Sequence, residues 1–493
     1  MSLFSSFNHF ITKIINFYII LKHNHVISSV SCVCSALVPD KFTVSDVIFR
    51  KRAQLQGKTK ETSEKTIKPV VPFIDSSRVA KGDLKPTEGD ISGRFSMASY
   101  SNLSSLTENT QRFRYTLMLN SNGLLSQKVN TEAYITFAHR LNQWDVVKAD
   151  IFNALRIYSL AVHYQFNTNH GLWFGRRINQ RMASLGAVDG LQYEWKSGAF
   201  TTGVIAGSRP DVYNYGINTK LLQAGAYVAH DFKGKSGFMQ STAGVVEQTN
   251  NGYTDRRFVY LQHINSLLKK LYFFGSAEVD LFNKKLIKTD SSLVQDNSPV
   301  VTNLYLSLRY RIVSQLSVGI SYSARNNIIY YETYKTYLER LLELETSTGY
   351  LFQVNWHPGK RISLGLNAGY RDQKGSQRAS KNLYSYLSFN RFLFENVTAN
   401  ASVTLLETPY MNGDVFSFGL NGDLFKGKLF AGTTYRNVNY RFVSGETSIR
   451  QHIGEVSLLW RTTRNFTASL NAECTFETGV QYQRIYLNLT QRF

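Results

Sequence analysis

The chain has 493 residues, with 56 Lys and Arg against 35 Asp and Glu, a formal net charge of +21, 29 Tyr, 32 Phe and only 8 Pro. Nowhere does it hold the run of roughly 20 apolar residues that a spanning helix needs, which excludes a helical membrane protein. The basic charge is not gathered into a compact element with interleaved aromatics, so it gives no ground for nucleic-acid binding.

Residues 1–36 read as an atypical export signal. Lys13 and Lys22 precede a mildly apolar stretch, Val26 to Val38, with the small residues Cys34, Ser35 and Ala36 near a candidate cleavage point. His23, Asn24 and His25 interrupt it, which leaves a later start of translation open. A lipid-anchored reading at Cys32 is weaker, because the preceding Ser29, Val30 and Ser31 lack the expected Leu. Residues 37–90 read as a flexible or small N-terminal segment: 58–68 is charged and free of aromatics, and 81–90 is rich in Gly, Pro and charge. Three cysteines and ten scattered histidines show no metal-ligand spacing, and no cofactor is expected.

From Ile91 onward the apolar residues recur every second position. Phe113, Tyr115, Leu117 and Leu119 mark one strand, and Leu271, Phe273, Ala277, Val279 and Leu281 another. Leu304 to Ile312 alternates and, after Val313, Ser314 and Gln315, the alternation resumes at Leu316, Val318, Ile320 and Tyr322, which is a hairpin. The same period returns at Ile362 to Tyr370, Val397 to Leu405 and Phe466 to Cys474. No Pro, Gly or Ser linker divides residues 91–493, so one large closed sheet is expected, with about 22 strands and a range of about 18 to 24. One segment changes period: Leu338, Leu341, Leu342 and Leu344, interleaved with charge, predict a short helix in a long loop.

The last twelve residues alternate strictly. Ile485, Leu487, Leu489 and Phe493 share one face, and Arg484, Tyr486, Asn488, Thr490 and Arg492 the other. Here the chain resembles Gram-negative outer-membrane β-barrel proteins, whose final strand commonly ends in Phe and is read by the barrel assembly machinery. Gln491 departs from the apolar residue usual two places before that Phe. The resemblance covers residues 91–493 and looks porin-like, and it is specific for architecture rather than for substrate. It implies an all-β, transmembrane, antiparallel up-and-down barrel in the cell outer membrane, surrounded by lipid and lipopolysaccharide, with a homo-oligomer open. Leu487, Leu489 and Phe493 would carry the assembly signal. Residues 37–90 would be periplasmic and are too few for the plug of energised outer-membrane receptors.

With the final strand ending in the periplasm, short turns should lie there and long loops outside. Candidate turns are 196–199, 233–237, 357–360, 423–427 and 461–464; candidate outer loops are 178–189, 207–219, 283–301, 325–348 and 371–381. Trp195, Trp356 and Trp460 each precede a short turn, where an amphipathic ring sits at the membrane interface.

Residues 1–90 carry 13 Lys and Arg and 8 Asp and Glu, which leaves 43 against 27, or +16, for residues 91–493. A basic side chain facing lipid at the midplane costs about 2–4 kcal/mol, so parity sends Arg112, Arg114, Arg309 and Arg311 inward, together with Glu132, Glu194, Glu278, Asp280, Glu455 and Glu473. Candidate ligand-binding residues of the lumen or mouth are Arg176, Arg177, Arg181, Arg209, Arg256, Arg257, Arg309, Arg311 and Arg325. Asp189, Asp211, Asp255, Glu278 and Asp280 are candidate structural carboxylate partners. Three clusters, 175–190, 207–211 and 255–257, are expected as loops at the outer mouth. The charge excess predicts a channel that passes or holds small anionic solutes. The alternative is a non-conducting barrel serving as a structural, assembly or secretion-apparatus component. A hydrolase is less favoured: His170 and Asp255 are available, but no nucleophile elbow accompanies them.

Overall fold

The computed structural model describes residues 90–123, 126–211, 214–286, 293–296, 298–325, 347–373, 378–425, 427–443, 445 and 448–493. The export signal, the segment up to residue 89 and the helix expected around Leu338 to Leu344 lie outside the described residues.

The strands are β1 (Asp90–Ser104), β2 (Thr110–Asn122), β3 (Val129–Arg140), β4 (Leu155–Gln165), β5 (His170–Ile178), β6 (Ala187–Ser197), β7 (Phe200–Ser208), β8 (Leu221–Lys233), β9 (Phe238–Asn250), β10 (Tyr253–Asn265), β11 (Leu271–Leu286) and β12 (Leu293–Asp296). They continue as β13 (Val300–Val313), β14 (Leu316–Arg325), β15 (Ser347–Trp356), β16 (Ile362–Gln373), β17 (Ser380–Asn390), β18 (Val397–Glu407), β19 (Met411–Leu424), β20 (Leu429–Phe442), β21 (Ser448–Arg461), β22 (Phe466–Glu477) and β23 (Val480–Arg492). One six-residue helix, α1 (Trp144–Ala149), sits in the β3–β4 connection.

Every strand except β12 pairs antiparallel with its neighbours along the wall, and β1 pairs with both β2 and β23. The β12 strand pairs only with the far end of β11, as a small extension of the wall. The result is a closed 22-stranded antiparallel barrel, as the alternation predicts. Closure is what lets such a sheet enter hydrocarbon, because it leaves no edge of unpaired backbone groups. At the seam, Gly93 and Phe493 exchange both backbone hydrogen bonds, at 2.8 and 3.1 Å. A Cβ on Gly93 would lie 2.5 Å from the Phe493 ring, so the terminal aromatic is seated where only glycine leaves room.

Register carries parity from strand to strand. Leu487 pairs with Ser99 and Leu470, Ser99 with Phe113, and Phe113 with His139. The same outward face holds Leu308, Ile320 and Phe352. Trp195, Trp356 and Trp460 are exposed on that face at the ends of β6, β15 and β21, which all run into short turns. From the Leu429–Trp460 pair to the Asn439–Arg450 pair is ten residues of strand. That is about 33 Å of extended chain, which a tilt near 40° reduces to about 25 Å, the height of an apolar transmembrane band.

The described residues have one apolar core, and it lies inside the barrel. Residues 179–186, the outer connection between β5 and β6, fold inward so that Met182 and Leu185 are buried against Ile205, Tyr227, Val246 and Phe258 of the inner wall. A Cβ on Gly244 would lie 2.6 Å from the Met182 sulfur, so the wall opens a recess there. Near the outer ends of β5, β6 and β7, Gly175 pairs with Gly190 and Gly190 with Gly207. At each of the three, a Cβ would run into a carbonyl oxygen of the neighbouring strand, and Gly175 has a φ of 115°. A row of glycines lets adjacent strands approach and coil sharply in a way that no larger residue allows.

Candidate functional site

The inward-folded connection roofs a pocket of about 250 Å³ in the lumen, lined by His163, Trp173, Arg177, Gln180, Arg181, Glu194 and Lys196 among others. Strand alternation supplies the wall. His163 of β4 pairs with Trp173 of β5, while Arg177 follows Trp173 at the same parity and Glu194 and Lys196 are inward on β6. The Trp173 ring carries two contacts: His163 stacks on it at 4.4 Å between centroids, and the Arg177 guanidinium carbon lies 3.5 Å from its centroid. Such a cation over an indole is held by the ring quadrupole as well as by ion pairing. Gly171 makes this geometry available, because a Cβ there would lie 2.6 Å from His163 Nε2.

Asn179 sets the turn that brings the roof down. Its Oδ1 accepts from the backbone N–H groups of Arg181 and Met182 at 2.8 and 3.1 Å, and its Nδ2 donates to Gln192 Oε1 at 3.2 Å. Arg181 then donates to both carboxylate oxygens of Asp231 on β8, at 3.2 and 2.6 Å. Burial alone would lower the Arg181 pKa, but the Asp231 carboxylate outweighs it and holds the guanidinium above its ordinary value. Arg177 is also within 3.4 Å of Glu132, and Glu194 accepts from the Tyr227 hydroxyl at 2.6 Å. Lys196 makes no ion pair among the described residues.

The remaining candidate residues are dispersed. Arg176 and Asp189 form a bidentate pair across β5 and β6 at 2.5 Å, and Arg176 Nη1 also donates to the carbonyls of Ile157 and Tyr215. Arg209 and Asp211 lie in the connection after β7, where Asp211 Oδ1 accepts from the backbone N–H of Asn214. Asp255 accepts from Gln248 Nε2 at 2.8 Å, and Gln248 in turn accepts from Gln223, a buried chain along the inner wall. Arg256, 3% exposed, is held by Glu278 at 2.7 Å and by both oxygens of Asp280, with the Phe258 ring 3.9 Å from its guanidinium carbon.

Three of these placements differ from the expected mouth loops. The 255–257 cluster is not a loop but part of β10, because the β9–β10 turn is tight at Asn251 and Gly252. Arg257 pairs with Glu247 at 2.5 Å on the outward face, in phase with Val259 and Leu261. A bulge at Asp255 shifts the register there, and ordinary alternation puts Arg256 and Arg257 on opposite faces of the wall. Arg176, Arg177 and Asp189 belong to strands rather than a loop, and Arg181 reaches down the lumen because Asn179 turns the connection inward.

Arg309 and Arg311 are inward on β13 near its short-turn end, and Arg325 is inward at the outer end of β14. None of the three has a carboxylate within ion-pair distance among the described residues. Arg112 and Arg114 instead cover Tyr100, at 4.9 and 5.4 Å. His170 lies outward at the foot of β5, hydrogen-bonded to Tyr193 and stacked near Trp195, and Asp255 is not among its partners. Sequence reasoning missed Trp173, His163 and Lys196. The available signal was phase: Trp173 alternates with Gly171 and Arg177, not with Leu172 and Phe174.

No protein-family profile matches the chain, and no curated protein matches it. Among solved structures it is similar to Pseudomonas aeruginosa OpdK with vanillate, at 11% identity and a TM-score of 0.40 over 82% of this chain and 99% of that one. It is similar also to P. aeruginosa OccK11 (OpdR), at 8% and 0.42 over 82% and 98%. A mutant of the ferric enterobactin receptor PfeA from P. aeruginosa matches at 9% and 0.46 over 83% and 81%. Closure of the wall, an apolar outer band of transmembrane height and a Trp girdle at one edge together make the chain a transmembrane β-barrel of the outer-membrane type.

Proposed function

We propose that the barrel passes small anionic solutes. The observation that supports this is an imbalance inside the wall. Of the inward carboxylates, Glu132, Asp231, Glu278, Asp280, Glu455 and Glu473 each lie within 3.5 Å of an arginine and Glu194 accepts from the Tyr227 hydroxyl instead, whereas Arg309, Arg311, Arg325 and Lys196 have no carboxylate within that distance among the described residues. Saturated carboxylates contribute little field, and the unpaired cations leave a positive potential that favours anions in a confined aqueous path.

Along this path, Arg325 meets the solute at the outer mouth. Lys196, His163 and the remaining donors of Arg177 offer a resting place under the roof, and Arg309 and Arg311 stand near the periplasmic exit. Binding at several weak sites, rather than one strong site, is what lets a solute both enter and leave.

The test is reversal potential in planar bilayers across a KCl gradient. The wild-type barrel should show anion preference, and Arg309→Gln with Arg311→Gln should move the reversal potential toward zero. Cation preference in the wild type would sink the reading. Bilayers that stay silent, with partner proteins retained through purification, would instead support the non-conducting assembly role.

A further inference from the structure

A second feature lies on the outside of the barrel, where hydrocarbon contact does not call for it. Lys381, Glu407, Asn412 and Arg441 are successive cross-strand partners in one row over β17 to β20. They are in phase with the outward Leu383 and Leu405, at the outer ends of their strands. Arg378, from the connection before β17, donates to the Thr408 carbonyl and, at 2.6 Å, to Asn412 Oδ1. These side chains edge a groove of about 720 Å³ whose lower wall is apolar and includes Ile320, Phe352 and Leu383.

The charges are layered by depth. Asp414 is 22% exposed beneath Arg441 at 61%, with 3.0 Å between them. Glu407, at 38%, is less exposed than its row neighbour Lys381 at 57% and is shared between Lys381 at 3.7 Å and Arg378 at 3.5 Å. The carboxylates therefore keep the basic groups raised and spread, and the surface offered outward is positive. The next row down pairs Asn439 with Arg450, at the upper edge of the 25 Å band described above. A positive shelf above an apolar wall, at that height, faces the headgroup layer of the outer leaflet.

We propose that this groove binds the phosphorylated headgroup of an outer-leaflet lipid, with one of its acyl chains lying along Ile320, Phe352 and Leu383. Phosphate is recognised by the guanidinium of Arg441 and by the Lys381 ammonium as a point charge, while Arg378 is engaged by Thr408, Asn412 and Glu407 and holds the groove's edge. This site is independent of conduction, because the wall separates it from the lumen.

The experiment titrates the purified full-length barrel, in detergent micelles, with bisphosphorylated lipid A and with the same lipid stripped of its phosphates, and reads bound lipid by native mass spectrometry. Wild type should prefer the phosphorylated form. Lys381→Ala combined with Arg441→Ala should weaken that form by about twenty-fivefold, about fivefold for each charge near an anionic lipid surface, and leave the stripped lipid unchanged. Arg257→Ala, which removes an outward arginine elsewhere on the wall, should have no effect. Equal affinity of wild type and double variant, or an equal loss in Arg257→Ala, would overturn the assignment. So would wild-type dimers that form through this face and exclude the lipid. Should the double variant lose heat-modifiable gel mobility, Lys381→Ala alone serves, since it keeps the Arg441–Asp414 pair; its expected loss is about fivefold, and no loss would count against the site.

Discussion

Arg181, in an outer connection, holds both carboxylate oxygens of Asp231, two residues from the periplasmic end of β8, at 3.2 and 2.6 Å. The contact ties the tip of the inward-folded connection to the far wall of its recess. Asp231 is 42% exposed, so the pair contributes only about 1 kcal/mol, and its importance is positional. Asp231→Asn should leave the barrel folded while raising single-channel current noise, as the roof over the pocket loosens. A quiet trace identical to wild type would show that Met182 and Leu185 alone fix the connection.

The Arg256 cluster should behave differently, because it is buried. Asp280 is 1% exposed and Arg256 3%, and removing the cation strands two carboxylates in a low-dielectric wall. Arg256→Ala should cost about 3–5 kcal/mol, seen as a lower urea midpoint for the folded gel band. Arg257→Ala, one residue away but on the outward face and more than half exposed, should leave the midpoint close to that of wild type.

Gly190 is predicted to be intolerant of even one methyl group. A Cβ would meet the Ala206 carbonyl oxygen and Gly207 Cα, backbone atoms that cannot rotate away. Gly190→Ala should destabilise by about 1–3 kcal/mol through forced backbone shifts, and the yield of heat-modifiable barrel after refolding should fall. Gly359→Ala, with nothing within 4 Å of the new atom, is the matched control and should refold normally.

Trp195, Trp356 and Trp460 should report one membrane interface. In single-Trp variants, lipids brominated near the headgroup should quench each of the three more than lipids brominated at mid-chain, in keeping with interfacial aromatic belts. Trp173, inside the wall, should respond to aqueous iodide and not to either lipid. Mid-chain quenching of Trp356 would show that the apolar band is misplaced.

The sequence by itself determined the architecture. Alternation from Ile91 onward, the absence of a spanning helix and the Trp positions before short turns specify a closed wall and nearly its strand count. They can do so because a β-strand in hydrocarbon obeys a strictly local rule: each residue's face follows from its neighbour's. What only the tertiary structure decided is where the arginines end up relative to one another. Alternation alone puts Arg256 and Arg257 on opposite faces, but only the register with the neighbouring strands sets Arg256 against Glu278 and Asp280 and Arg257 against Glu247. Arg181 reaches Asp231, 50 residues away, because Asn179 folds a connection into the lumen, and the lipid-side row from Lys381 to Arg441 joins four strands. Ion pairing depends on register between distant segments and on loop direction, and neither is written in the two-residue period.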